Sequence, residues 1–132
     1  MAFERFTDVG RVFRPRASIR SNGQIGFNHG CVKRYELQKF SHVVLFYDQD
    51  SKRVGIRLTN DKTEAGASTL TTRSGNGAVS ARSFLEYYRI LPKVTTQHDI
   101  EWDTENKMLV LDVGKGSPRE RKKKLPGNTE TV

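Results

Sequence analysis

One cysteine, Cys31, stands in 132 residues, so an internal disulfide is excluded. A lone thiol fits a reducing compartment, and the expected setting is the cytoplasm or the nucleoid. No apolar run approaches the roughly 20 residues that a membrane-spanning helix needs, so no membrane partner is expected. The opening stretch MAFERFTDVGRVFRPR carries acidic residues and no apolar core, and it does not read as a secretory leader. His29, His42 and His98 are isolated, with no metal-ligand spacing between them. Neither a phosphate-binding glycine loop nor a nucleophile elbow occurs, and Gly75-Asn76-Gly77 reads as a turn. Cys31 lacks a neighbouring base and is expected on the inner face of a helix as a small hydrophobe. An enzyme is therefore the weakest reading, and neither a cofactor nor a metal is expected. Apolar residues make up only 35% of the chain, so part of it is expected to stay unfolded.

What the chain does have is a repeat. The segment 43–58, VVLFYDQDSKRVGIRL, is answered by 99–113, DIEWDTENKMLVLDV, with Tyr47-Asp48 falling on Trp102-Asp103 and Lys52 on Lys107. Each is a polar, acidic turn between two β-rich runs, the pattern of a hairpin. Upstream, Arg20-Ser21-Asn22-Gly23 is answered by Arg73-Ser74-Gly75-Asn76-Gly77, and each Asn-Gly is expected at the centre of a type I′ turn. Asp48-x-Asp50 and Asp103-x-Glu105 could be offered as metal ligands or paired catalytic carboxylates. They sit at equivalent hairpin tips and lack the glycine and downstream glutamate of a calcium loop, so turn chemistry accounts for them.

The expected organisation is a lead-in over 1–16, a first ββαββ unit over 17–58, a linker over 59–68, a second ββαββ unit over 69–113 and a disordered basic tail over 114–132. In the first unit, strands are expected at 17–20 and 24–28, with Ile19, Ile25 and Phe27 in the core. Asn28 caps a helix over 29–38 whose inner face holds Val32, Tyr35 and Cys31, and strands follow at 43–47 and 54–58. In the second unit, strands at 69–73 and 78–81 lead into a helix opened by a Ser83–Glu86 capping box and stopped by Pro92. Either unit alone buries little surface, so the two are expected to pack together as an intramolecular pseudo-dimer, open to further homodimerisation.

The net charge is +8, and it is uneven. Through Leu58 there are eleven Lys/Arg against five acids, a net of +6; from Thr59 to Gly114, six against eight, −2; from Lys115, six against two, +4. Arg14, Arg16, Arg20, Lys33, Arg34, Lys52, Arg53 and Arg57 are candidates for neutralising nucleic-acid phosphates, which demand charge and reach more than a shaped pocket. Their plain alternative is a solvated face. The run Arg119 to Lys124, with Arg121, Lys122, Lys123 and Lys124 at its core, is either a nucleic-acid-gripping arm or a solubilising tail. Phe13, Tyr47, Tyr87, Tyr88 and Trp102 are aromatics that could stack on unpaired bases, though aromatics also dominate small β cores. Tyr47 and Trp102, next to turns, are the candidates for base stacking, while Tyr87 is expected to face outward.

The stretch Ser18 to Asn28, the helix bearing Lys33, Arg34 and Leu37, and the hairpin Val43 to Asp48 with Val54 to Arg57 resemble the AbrB/MazE/SpoVT swapped-hairpin family. Two such units in one chain look like its MraZ branch. Gln24 and Ala78 stand where the family has Arg after the turn glycine, and Asn28 and Arg82 where it has Pro. The resemblance implies a β-dominated α+β fold of two swapped-hairpin-like repeats and duplex-DNA contact at Arg20, Lys33 and Arg34. The resulting expectation is a non-enzymatic, DNA-binding transcriptional regulator that grips the phosphate backbone with its first unit. A second reading is a single-strand binder, as in the Whirly and positive-cofactor type, using Tyr47 and Trp102. A third is an adaptor or antitoxin-like module whose acidic second unit meets a protein partner.

Overall fold

The computed structural model describes Phe3, residues 14–114 and the backbone of Ser117–Pro118. Its elements run β1 (Arg16–Ile19), β2 (Gln24–Phe27), α1 (His29–Tyr35), a 3-10 turn at Leu37–Lys39, β3 (His42–Asp48), β4 (Arg53–Thr59), β5 (Ala67–Arg73), β6 (Asn76–Ser80), α2 (Arg82–Tyr87), β7 (Thr96–Asp103), β8 (Met108–Asp112) and β9 (Ser117–Pro118). Strands pair in the order β1-β2-β6-β5-β3-β4-β8-β7, and β7 returns to β1, closing an eight-stranded antiparallel barrel. The two residues of β9 add to β7 at Thr96 and Gln97.

Alternation along the strands explains the closure. Ile19, Ile25, Phe27, Val43, Val54, Ile56, Leu70, Val79, Ile100, Leu109 and Leu111 are all buried and fill the interior. An eight-stranded barrel is just wide enough for side chains to fill it, and these apolar side chains make its core. Outward positions carry Ser18, Gln24, Thr71, Ser80, Asp99 and Glu101, the reverse of the apolar-out alternation of a lipid-facing barrel. Among the described residues no helix is long and apolar enough to cross a membrane.

The two halves of the chain interleave. The β1–β2 hairpin lies between β7 and β6, and the β3–β4 hairpin between β5 and β8, so every outside neighbour of a first-half hairpin comes from the second half. Exchanging β1 with β5, β2 with β6, β3 with β7 and β4 with β8 leaves the order unchanged. The registers follow the same exchange. Arg16 opposite Asp99 and Ala17 opposite His98 are matched by Ala67 opposite Val44 and Ser68 opposite Val43. Ile25 pairs with Val79, and Gly55 with Val110. The expected segments 17–58 and 69–113 thus share one sheet rather than closing two. Strand directions place α1, the β5–β6 turn and the β7–β8 turn at one end of the barrel. The other end holds α2, the β1–β2 turn and the β3–β4 turn.

Several local expectations are corrected. Asn76-Gly77 is not a turn centre: Ser74 (φ 54) and Gly75 (φ 82) make the two-residue turn, with Arg73 opposite Asn76. The register sends Gly77 inward, where a Cβ would meet Phe27 and Leu37 at 3.4 to 3.6 Å. In the first hairpin only Gly23 (φ 95) takes positive φ, after a turn closed by Gly23 N–H donating to the Arg20 carbonyl at 2.9 Å, which is not type I′. The first helix ends at Tyr35 rather than Gln38, because Glu36 is left-handed (φ 53) and donates its N–H to the Val32 carbonyl. That reversal carries Leu37 into full burial. Ser83 forms no capping box: α2 starts one residue earlier with Ala81 as an N-cap lacking a side-chain bond, and Glu86 instead accepts from Arg82 at 3.1 Å. The tail expected to be disordered over 114–132 lies outside the described residues, apart from Gly114 and the β9 backbone.

Candidate nucleic-acid interface

The end of the barrel that carries α1 is organised by Asn28. Its Oδ1 accepts the N–H of Cys31 at 2.9 Å and of Arg16 at 3.0 Å, while its Nδ2 donates to the Arg14 carbonyl at 2.8 Å. One side chain therefore caps the helix, as expected, and ties it to the start of β1. With Gly30, Cys31 and Val32 buried against the barrel, the seven-residue helix has one apolar face. Lys33 and Arg34 fall on the other, exposed and in the last turn, where cations also suit the free carbonyls. Among the described residues neither has an acidic partner at salt-bridge distance.

Beside Arg34 an open groove of about 370 Å³ is lined by Tyr35, Phe40, Leu58 and Trp102. Tyr35 and Trp102 stack, with ring centroids 6.1 Å apart and planes inclined by 24°. Trp102 occupies an inward strand position, but it lies at the barrel's rim and leaves 45% of its surface exposed. Aromatic faces of this kind accept further stacking partners. Nothing in the sequence marks Tyr35, Phe40 and Leu58 as site residues, because the first two flank a reversal and the third lies near the end of a strand.

The remaining sequence candidates do not form one surface. Arg14 and Arg16 reach this end, but both are paired with Asp99, at 3.5 and 3.2 Å, and Arg16 also donates to Gln97. Arg20 precedes the turn at the opposite end of β2. Its side chain donates to Gln24 Oε1 at 2.6 Å and folds over Gly26, where a Cβ would lie 2.4 Å from the guanidinium. Arg53 also starts at that opposite end, exposed, next to Lys52. Arg57 is held on the barrel wall by the Glu64 carboxylate and lies 5.4 Å over the Phe46 ring. Arg121, Lys122, Lys123 and Lys124 fall outside the described residues. Of the acids in the second half, Asp99, Glu101 and Asp103 alternate along β7 and share its outer face.

Tyr47, the repeat partner of Trp102, is at the α2 end. Its ring centroid lies 4.9 Å from that of Tyr88, and Tyr88 in turn makes a T-shaped contact with Tyr87 at 4.8 Å. Tyr87 is 79% exposed, facing outward as expected. Together with Gln49 and Arg89 these three rings line a second open groove of about 400 Å³. Arg89 carried no motif, and only the extension of the repeat into the helices could have found it.

The titratable groups elsewhere have structural duties. Asp48 accepts the N–H of Asp50 at 3.0 Å, and Asp103 accepts those of Glu105 and Asn106 at 3.0 and 3.1 Å. Hydrogen bonds from the side chain and then the backbone of Ser51 lower the Asp48 pKa, and those from Asn106 lower that of Asp103. Both carboxylates thus brace their turns. His98 is buried, and burial lowers its pKa, opposed by the Asp112 carbonyl and the nearby Asp112 and Asp99 carboxylates. Its Nδ1–H donates to the Asp112 carbonyl at 3.2 Å, which leaves Nε2 to accept from the Thr96 hydroxyl at 2.9 Å. Cys31 is fully buried, and burial pushes its thiol up to about 12. Among the described residues no three His, Cys, Asp or Glu side chains gather as metal ligands.

Comparison with protein-family models, with curated proteins and with solved structures gives no match.

Proposed function

We propose that this chain is a non-enzymatic nucleic-acid-binding protein whose α1 end seats an unpaired strand. Lys33 and Arg34 take backbone phosphates, and Trp102 offers its face to a base. The observation that carries this reading is the half-exposed indole, stacked on Tyr35 and flanked by an arginine with no acidic partner among the described residues. Stacking on an exposed ring combined with a cationic rim is how single strands are held without base reading. The net charge of +8 adds long-range attraction for a polyanion. Pairing of Arg14 and Arg16 with Asp99 and of Arg57 with Glu64 removes three of the cations that a long duplex-binding face would have used.

The test is fluorescence anisotropy of labelled single-stranded and duplex oligonucleotides across a salt series. It uses the full chain and a full-length variant with Arg121, Lys122, Lys123 and Lys124 changed to glutamine. Tighter single-strand binding that survives in the variant, with quenching of Trp102, supports the reading. Binding that disappears with the tail charges would transfer the whole effect to the tail.

A second reading, a duplex-DNA regulator of the AbrB/MazE/SpoVT kind, draws support from the interleaving of the halves. Each hairpin flanked by strands of the other half is what a swapped-hairpin-like repeat within one chain would produce. Duplex preference, with Arg20→Ala as damaging as Arg34→Ala, would favour it.

A further inference from the structure

The relation between the halves extends beyond the strands. The shift along the sequence that carries Tyr35 to Tyr88 also carries Glu36 to Arg89, and both of these are left-handed, with φ 53 and 58. The shift that carries Tyr47 to Trp102 carries Lys52 to Lys107, again both left-handed, with φ 57 and 55. Under these two shifts the Tyr35–Trp102 stack at one end of the barrel becomes the Tyr88–Tyr47 pair at the other. Each pair joins the helix end of one half to a strand of the other. Each sits in an open groove, of about 370 Å³ at the α1 end and about 400 Å³ at the α2 end. Each groove holds one arginine, but from different steps of the helix end: Arg34 in the first, and Arg89 in the second, where Tyr87 takes the place of Arg34.

From this duplication we infer that the molecule is bivalent, with a second seat for an unpaired nucleic-acid base formed by Tyr47, Tyr87, Tyr88 and Arg89. The inference rests on the single-strand reading of the first groove. Tyr87 supplies the exposed ring on which a base stacks, its plane set at 87° to that of Tyr88. Arg89 is exposed at the same groove and takes the flanking phosphate. Lys52, Arg53 and Arg82 are exposed at this end of the barrel, with their charge partly offset by Asp48 and Asp50 of the β3–β4 turn and by Glu86. Because the two grooves lie at opposite ends, one chain holds two separate single-stranded segments rather than one continuous one.

The experiment is calorimetric titration of the full chain with a pentathymidylate at low salt. Trp102 fluorescence is read in parallel, since it is the one tryptophan and reports the first groove alone. The expected stoichiometry is two oligonucleotides per chain. Tyr87→Ala, at an outward-facing ring, lowers it to one with Trp102 quenching retained. Trp102→Leu also lowers it to one. Each substitution weakens its own seat by roughly five- to 140-fold, the range for loss of one stacked base. One oligonucleotide per chain, abolished by Trp102→Leu and untouched by Tyr87→Ala, would overturn bivalence and leave the first groove standing. Two that are unaffected by Tyr87→Ala would place the second seat elsewhere and overturn the assignment. No binding at all would overturn the single-strand reading itself.

Discussion

Replacing Gly23 with alanine probes how the first-half turn is fastened to the second-half helix. Gly23 has φ 95, and a Cβ there would lie 2.4 Å from the Cβ of Arg82 and 2.8 Å from its Cα. The turn cannot swing away freely, since Gly23 N–H donates to the Arg20 carbonyl at 2.9 Å and the Gly23 carbonyl accepts Ala81 N–H at 2.8 Å. Left-handed backbone costs an L-residue about 1–2 kcal/mol. Forcing an extra carbon against atoms that cannot yield adds about 1–3 kcal/mol. Gly66 separates the two contributions. It has φ 82, but its nearest neighbour would be Val44 Cγ1 at an ordinary 3.9 Å, so Gly66→Ala carries the conformational cost alone. Urea unfolding followed by circular dichroism reads the difference. With a slope of about 1–3 kcal/mol per molar urea, the two variants should differ in midpoint by roughly 1 M, Gly23→Ala being the lower. Equal midpoints would refute the close seating of the turn on Arg82, and with it this fastening between the halves.

Acidification should weaken the fold through His98. Burial holds its pKa below the ordinary 6.5, so the unfolded chain binds the proton more readily. Its contribution is fully present above about 6.5 and declines as pH falls below that value toward the folded pKa. Urea midpoints at pH 7.5 and 5.0 should therefore diverge in the native chain and converge in His98→Val, the residue found at its counterpart, Val43; an unchanged divergence would contradict the assignment. Cys31, fully buried with its thiol pushed up to about 12, should not react with a disulfide reagent at pH 8 until denaturant is added. Stoichiometric reaction in native buffer would show that the inner face of α1 is open.

Local structure was legible in the sequence and closure was not. The four hairpins announce themselves by alternation and by their turns, two acidic and two carrying glycine, because strand faces and turn residues are encoded within a few positions. The β1–β7 pairing that closes the barrel joins Arg16 to Asp99, and no local pattern reports a contact at that separation. Asn76-Gly77 misled because two glycines bracket the asparagine, and the choice between them is made by inward packing of Gly77 on Phe27 and Leu37. Charge misled in a similar way. Arg20, Lys33 and Arg34 are close in sequence, yet β2 carries the chain from one end of the barrel to the other between them, and Asp99 of β7 and Glu64 of the segment between β4 and β5 neutralise Arg14, Arg16 and Arg57. The grooves combine Tyr35 with Trp102 and Tyr47 with Tyr88, rings that become neighbours only through interleaving.

The most direct test of the proposed interface is the salt dependence of single-strand affinity in the full chain and in a Lys33→Ala/Arg34→Ala variant. Both side chains are exposed, so the variant should keep the native urea midpoint. If they hold two phosphates, the slope of log affinity against log salt falls by about 1.4. An unchanged slope and affinity in a folded variant would contradict the α1 end as the contact surface.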